Sequence, residues 1–471
     1  MKSAIQIKMQ DLKSTVSRIA FLSFVLGVSM GATATSAQAE TLLDALAKAY
    51  ATNPSLQAAR ATLRATDEGV PQALSGWRPS VSVSGTSSAK QQETSSTPGN
   101  KVDTNPKTLA LSLTQSLYKG GQTVSAVSSA ENTVLAQRAR LKTIEQTVLL
   151  NGATAYLNVL RDQAVVGLNI KNEEVLQSQL DATQDRFNVG EITRTDVHQA
   201  QSRLAGATAD RIQAKGDLES SRAAYANLMG EAPERLQPSR LALPLPTSLD
   251  DALSLAEQSN PAVNAAVFAE RASRDNIDTT KGKLLPSVDL TGAASRSLDT
   301  VADNYWSNAY EAKVTLSVPL YQSGSVYSQL RQARENASSL RLTANQARRD
   351  ATQQVRTAWE ILAATRARIE AIKTQVLAAE TALEGVQREA GVGSRTVLDV
   401  LDAEQELLDA RVNLVKSQRD ETVAELTLLS SVGNLTAADL NLAVDLYDAQ
   451  GHYQEVRDKW FGGNVGDNGV K

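Results

Sequence analysis

The chain has 471 residues, carries 48 Lys and Arg against 52 Asp and Glu for a net charge of −4, and contains no cysteine. The mildly acidic balance argues against nucleic acid as the main partner. The missing cysteine excludes disulfides, thiolate metal sites, cysteine nucleophiles and an N-terminal lipidated cysteine.

Residues 1–39 read as a secretory signal peptide: Lys2, Lys8, Lys13 and Arg18 precede the apolar run Ile19 to Val28, and Ala37-Gln38-Ala39 offers an A-x-A cleavage site before Glu40. The segment holds four basic residues and one acid, so its removal takes the net charge from −4 to −7. Charges interrupt every later apolar stretch before 18 residues, so a membrane span in the mature chain has to be a β-barrel.

The mature chain is written twice, as repeats expected at 40–248 and 249–440. "TNPSLQAA" at 52–59 returns as "SNPAVNAA" at 259–266, with Asn53 and Asn260 as N-cap residues and Pro54 and Pro261 at the first helical position. At the same offset Leu42, Asp44, Ala45 and Leu46 match Leu249, Asp251, Ala252 and Leu253, and Pro79-Ser80-Val81 matches Pro286-Ser287-Val288. Further on the offset shortens by four: Leu117-Tyr118 falls on Leu320-Tyr321, Gly121 on Gly324, Val189-Gly190 on Val392-Gly393 and Asp196-Val197 on Asp399-Val400. A change confined to about 91–108 is what a loop of different length produces.

In chain order the first repeat predicts strands at about 79–91 and 107–119, then a helical hairpin at about 121–230. The second predicts strands at about 285–296 and 310–321, then a hairpin at about 324–432. Leu109, Leu111, Leu113 and Leu117 alternate with Ala110, Ser112, Thr114 and Ser116, and Val314, Leu316, Val318 and Leu320 alternate with Lys313, Thr315, Ser317 and Pro319, the dyad pattern of a membrane barrel. Trp77, Tyr118 and Tyr321 sit at strand ends, where an interfacial aromatic girdle would lie. The loop from Lys90 to Pro106 is polar enough to face water.

No proline falls between Pro106 and Pro233 or after Pro319, which leaves room for two long helical hairpins. Val127, Ala130, Val134, Leu141, Ile144 and Val148, and again Leu330, Ala333, Ala337, Leu340, Ala344, Ala347 and Ala351, follow a coiled-coil seam rich in alanine. Each helical stretch breaks once, at Asn188-Val189-Gly190 and at Gly391-Val392-Gly393, as a hairpin tip requires. Residues 441–471 form a C-terminal tail, expected to be disordered at its glycine-rich end, "FGGNVGDNG". Four strands are too few to close a barrel, since even small ones need about eight, so copies of the chain must pool strands; arithmetic alone allows two, three or four protomers.

The paired Asn-Pro starts, the Pro-Ser-Val strand entries, "LSVPLYQSG" (Leu316–Gly324) and "VGSRTVLDVLDAEQ" (Val392–Gln405) resemble the TolC-like family of outer-membrane export channels, from about Leu42 to Leu440. The resemblance implies an α+β membrane protein in which each protomer gives four strands to a trimeric, twelve-stranded outer-membrane barrel above a periplasmic α-helical barrel. It implies a homotrimer in outer-membrane lipid, a periplasmic adaptor, and an inner-membrane pump of ABC, RND or MFS type. No cofactor is called for.

Asp399 and Asp402 lie three apart, on one helix face just beyond the second tip. In a trimer they would stack as two rings of carboxylates, which attract cations, and the resemblance puts the family's cation-attracting aspartates at these two positions. Thr396-x-x-Asp399 is also a capping box, as is Thr193-x-x-Asp196, so capping alone accounts for Asp399 but not for Asp402, whose counterpart is Gln199. By resemblance Arg395 links to Thr195 and Asp196 of a neighbouring hairpin and latches the tip shut, although Ala390 stands where the family's best-known member has a tyrosine. His198 and His452 have no metal-ligand partner at useful spacing, and no nucleophile–base constellation suggests an enzyme. An exported trimeric stalk or adhesin is the competing reading, but it gives no role to strand pairs ahead of each hairpin or to acids at the tip.

Overall fold

The computed structural model describes residues 40–463 apart from 94, 96, 97, 100 and 239–242, so the signal peptide and the last glycines of the tail lie outside the described residues. The first repeat runs α1 (Leu42–Thr52), α2 (Pro54–Asp67), α3 (Gly69–Leu74), a 3-10 turn (Ser75–Trp77), β1 (Ser80–Ser87), β2 (Lys90–Gln92), β3 (Val102–Thr104), β4 (Lys107–Lys119), α4 (Gln122–Asn188) and α5 (Arg194–Met229). The second runs α6 (Leu249–Ser259), α7 (Pro261–Gly282), β5 (Ser287–Leu298), β6 (Trp306–Ser317), α8 (Ser325–Gly391) and α9 (Val397–Val432), and α10 (Gly451–Arg457) follows. Three pairs of matching helices have equal lengths, 11 residues in α1 and α6, 67 in α4 and α8 and 36 in α5 and α9, while the single α7 of 22 residues stands where the first repeat has α2 and α3. Among the described residues no helix is long and apolar enough to cross a membrane.

The duplicated octapeptide closes each hairpin onto its own beginning. The Asn53 side chain accepts from the Ser55 amide at 3.0 Å while its Nδ2 donates to the Leu228 carbonyl in the last turn of α5 at 3.3 Å. Asn260 does the same in the second repeat, accepting from Ala262 and Val263 and donating to the Ser431 carbonyl at the end of α9 at 2.9 Å. One side chain thus satisfies an orphan donor at one helix start and an orphan acceptor at another helix end. Gly433, which ends α9 at φ +93°, lies so close that a Cβ there would stand 2.6 Å from the Ser259 carbonyl oxygen.

The strands form one sheet in the order β1-β4-β5-β6, all neighbours antiparallel, with β2 and β3 a separate ribbon in the first loop. The register sorts the side chains. Val83, Leu111, Ala294 and Tyr310 form one rung, and Leu290 and Val314 sit with Gln115 on the same face. The rungs between carry Ser82–Ser112, Thr108–Ser297 and Ser116–Asp289, whose side chains hydrogen-bond at 2.7, 3.1 and 2.7 Å. One face is therefore apolar and the other polar. Strands of 12 residues at about 3.3 Å per residue reach about 40 Å, enough to cross a bilayer with tilt.

The strands depart from the expected ranges for local reasons. β1 ends at Ser87 rather than near 91. A β-bulge between Ser116 and Tyr118 leaves Leu117 outside the ladder and hands its place on the apolar face to Tyr118, which pairs with Val288. β5 starts and ends two residues beyond the expected 285–296, and β6 stops at Ser317 instead of 321 because Pro319 has no N–H for the ladder.

The long helices keep a seven-residue seam. In α4 the buried positions Val127, Val134, Leu141, Val148, Ala155, Asp162, Asn169, Leu176 and Thr183 are each seven apart, and in α8 Leu330, Ala337, Ala344, Ala351 and Ala358 repeat the spacing. The seam of α4 is less uniformly apolar than its first half suggests: Asp162 is buried, bound by Arg161 at 2.7 and 2.9 Å and by Ser221 of α5. At 1.5 Å per residue, 67 residues give helices of about 100 Å.

The described part of the C-terminal segment is packed, contrary to its reading as a tail. Leu442 is buried, Val444, Tyr447 and Tyr453 pack on the main core, and Arg60 lies between the Tyr50 and Tyr447 rings at 4.5 and 5.1 Å. His452 Nδ1 meets the fully buried Asp67 carboxylate at 3.1 Å. The sequence offered no local hint of this pair, 385 positions apart.

The Asn260→Ala variant should lose about 1–3 kcal/mol of stability, because it removes an N-cap and strands the buried Ser431 carbonyl. Thermal unfolding of the detergent-solubilised protein, followed by circular dichroism, measures it.

Candidate gate at the hairpin tips

Each hairpin turns in the same way. Gly190 at φ +83° and Gly393 at φ +81° adopt the left-handed conformation that ends α4 and α8. The next helices open on capping boxes: the Thr193 amide and hydroxyl donate to Asp196 at 2.9 and 2.7 Å, and those of Thr396 donate to Asp399 at 2.9 and 2.8 Å. Both aspartates are thus built into their helix starts.

The two tips meet side by side. Leu176 of α4, Ala200 and Ala207 of α5 and Leu401 of α9 form a small buried cluster, joined by Leu180, Leu204 and Val397. Next to Leu401, Asp402 is held by Arg203 of α5, an ion pair between the two repeats. The acid is half exposed, at 56% of its side chain.

Arg203 was missed in the sequence, although a signal was present. The repeats match through Asp196-Val197 and Asp399-Val400, then diverge in charge: Gln199 and Arg203 stand where the second repeat has Asp402 and Glu406. Such a swap of sign between paired helices is a pairing pattern.

Asp399 sits below the ordinary carboxylate range, chiefly because the Thr396 backbone N–H and hydroxyl bond its charged form, with Arg395 adding to this. That direction is opposite to what crowding in a ring of like charges contributes. Asp399 and Asp402 share a face of α9, but one protomer treats them differently: a threonine cap holds the first and an arginine the second.

Arg395 pairs with Glu389 across its own tip at 2.9 Å, which raises the guanidinium pKa. Among the described residues no contact joins Arg395 to Thr195 or Asp196 within the protomer; Thr195 is exposed on the first tip, and the Asp196 carboxylate faces Thr193. Ala390 accepts the Gly393 amide at 3.1 Å, so that position serves the turn through its backbone. His198 is exposed beside Gln201, and no group of three potential metal-binding side chains occurs among the described residues.

The model of the outer membrane efflux protein family matches residues 45–231 and 252–434, one stretch for each repeat. The outer membrane efflux protein BepC of Brucella suis is 36% identical over 432 residues, covering 91% of this chain and 93% of that protein. The outer membrane protein TolC of Escherichia coli is 28% identical over 434 residues, covering 89% and 87%. The solved CmeC outer membrane channel of Campylobacter jejuni has a TM-score of 0.77 over 88% of this chain and 89% of that one, at 15% identity, a likeness of fold. TolC-family proteins are trimeric channels of tripartite efflux systems. With a sheet of one apolar and one polar face, twin long hairpins and two family matches that coincide with the two repeats, the chain belongs to the outer membrane efflux protein family: it is a non-enzymatic, TolC-like channel of the bacterial outer membrane that extends into the periplasm.

Proposed function

We propose that three copies of this chain close one continuous duct, the passive outer-membrane exit for an inner-membrane pump of ABC, RND or MFS type that is reached through a periplasmic adaptor. The observation that carries this reading is the four-stranded sheet with both edges, β1 and β6, unpaired, joined to hairpins of equal length. Three such sheets give the twelve strands the resemblance implies, and the polar rungs face the lumen. The chain's relatives are named both for efflux, at 36% identity, and for protease secretion, at 27%, and the duct serves an efflux or type I secretion system. A stalk or adhesin has no use for a lipid-compatible sheet face.

At the periplasmic end the tips act as the gate. Asp399 supplies a ring of three ionised carboxylates, kept charged by its cap. Arg203 compensates Asp402, so the second ring is masked for as long as the two repeats of a protomer stay together at the tip. Opening parts the tips, exposes Asp402 and doubles the acidic charge in the entrance. Arg395 exchanges Glu389 for Thr195 and Asp196 of the neighbouring hairpin as the tip closes. All these pairs are solvent-screened and individually weak, which suits a latch that an adaptor and pump must release.

In planar bilayers the purified protein should conduct ions with cation preference. The double substitution Asp399→Ala with Asp402→Ala should abolish most of that preference and weaken block by multivalent cations by about tenfold; unchanged selectivity in single-channel recordings removes the acids from the gate. Arg203→Ala should act in the opposite direction, tightening multivalent-cation block by unmasking Asp402, and should do nothing once Asp402 is also alanine. Arg395→Ser should raise resting conductance, and a resting conductance equal to that of the parent protein excludes Arg395 from the latch.

A further inference from the structure

We propose that Trp460 and Phe461, just after α10, form a membrane-surface anchor that rests in the periplasmic leaflet of the outer membrane beside the start of β1. The placement comes from Arg78, two residues before the first strand. Its guanidinium donates to the carbonyls of Lys459 at 2.7 Å and Arg457 at 3.4 Å and lies 5.0 Å from the centre of the Trp460 ring. At about 3.3 Å per residue, Arg78 stands about 7 Å from Ser80, the first residue of the ladder. The end of α10 is therefore held at the level where the sheet passes into the helices.

That level already carries an aromatic and aliphatic band. Trp77 is adjacent to Arg78 in the chain, Tyr118 ends the apolar face of β4, and Leu320 and Tyr321 follow β6. Exposures of 48% for Trp77, 50% for Tyr118, 90% for Leu320 and 78% for Tyr321 mark this rim as the boundary between lipid and water. Trp460 at 58% and Phe461 at 87% extend the same band with a segment that belongs to neither repeat.

The remaining packing explains why Phe461 and more than half of Trp460 stay exposed although Arg78 lies over the Trp460 ring. α10 is pinned from within by His452 on Asp67 at 3.1 Å and by Arg457 on Glu131 at 3.0 Å. Its apolar contacts are spent on the core through Val456, which is 2% exposed. Phe461 is then left with an apolar ring outside that core, at the depth where a bilayer interface accepts aromatic rings. Continuity with the barrel's lipid face selects the membrane as the occupant.

The test uses the full chain in lipid vesicles. The protein has four tryptophans, and replacing Trp77, Trp306 and Trp359 by phenylalanine leaves Trp460 as the sole emitter. Phosphatidylcholine brominated near the glycerol end of its acyl chains should remove most of the Trp460 emission, while aqueous acrylamide removes little. A Trp306-only protein in the same vesicles reports barrel insertion independently. Strong quenching by acrylamide with none by brominated lipid places Trp460 in water and overturns the proposal; quenching by neither places it against another protomer and also overturns it. Because the chain lacks cysteine, Phe461→Cys offers a second route without altering any tryptophan. A nitroxide there should relax faster with oxygen, which partitions into lipid, than with a water-soluble nickel complex, and the reverse order rejects the anchor.

Discussion

Inside a bilayer the backbone has no water to bond, and each unpaired N–H or C=O in hydrocarbon costs several kcal/mol. The four-stranded sheet of one protomer has two such edges, β1 and β6. A closed wall is the only arrangement in which the alternating rungs, apolar through Leu111 and Val314 and polar through Ser112 and Asp289, have the right neighbour on each side. Closure therefore has to come from sister chains, and the rest of the architecture is subordinate to that demand. The bulge at Leu117 serves it too: it shifts the face by one residue, so that Tyr118 meets the interface where Leu117 would have pointed.

The same demand accounts for the strict equality of the hairpins. One extra residue in α4 but not in α8 would displace one tip by about 1.5 Å and rotate it by about 100°, breaking the alignment of the capping boxes and of Arg203 with Asp402. Both helices have 67 residues, while the four-residue change of offset between the repeats lies in the loop joining β1 to β4, at the end of the sheet away from the tips. Length is constrained where registry matters and free where the chain faces water. Asn53 and Asn260 anchor the other end by tying each return helix to the start of its own repeat.

The tips show how duplication and function part company. The capping boxes at Thr193–Asp196 and Thr396–Asp399 are preserved in both copies because each helix needs a start. A few residues later the copies diverge, and the divergence is electrostatic: arginine in one, acids in the other. At the tips, the charges that distinguish the copies, Arg203 and Asp402, lie where the two halves face each other.

Much of this protein is legible one residue after another. Asn-Pro starts, Val-Gly tips, capping boxes, seven-residue seams and alternating strands are all products of interactions within a few positions, and they delivered the repeats, the strand pairs and the hairpins. The break at Pro319 is of the same kind, since the missing N–H is a property of that residue alone, although the alternation by itself carries the strand on to about 321. What only the tertiary structure decided are the partnerships across long separations: Arg203 with Asp402, 199 residues apart, His452 with Asp67, 385 apart, and Arg78 with the carbonyl of Lys459, 381 apart. Buried polar seam positions such as Asp162 belong with these, because burial of a charge is tolerated only once Arg161 and a serine from the facing helix are in place. Periodicity encodes which face of an element is buried. It carries no information about which side chain will lie opposite, and that depends on the registry of helices about 100 Å long, set by packing along their whole length.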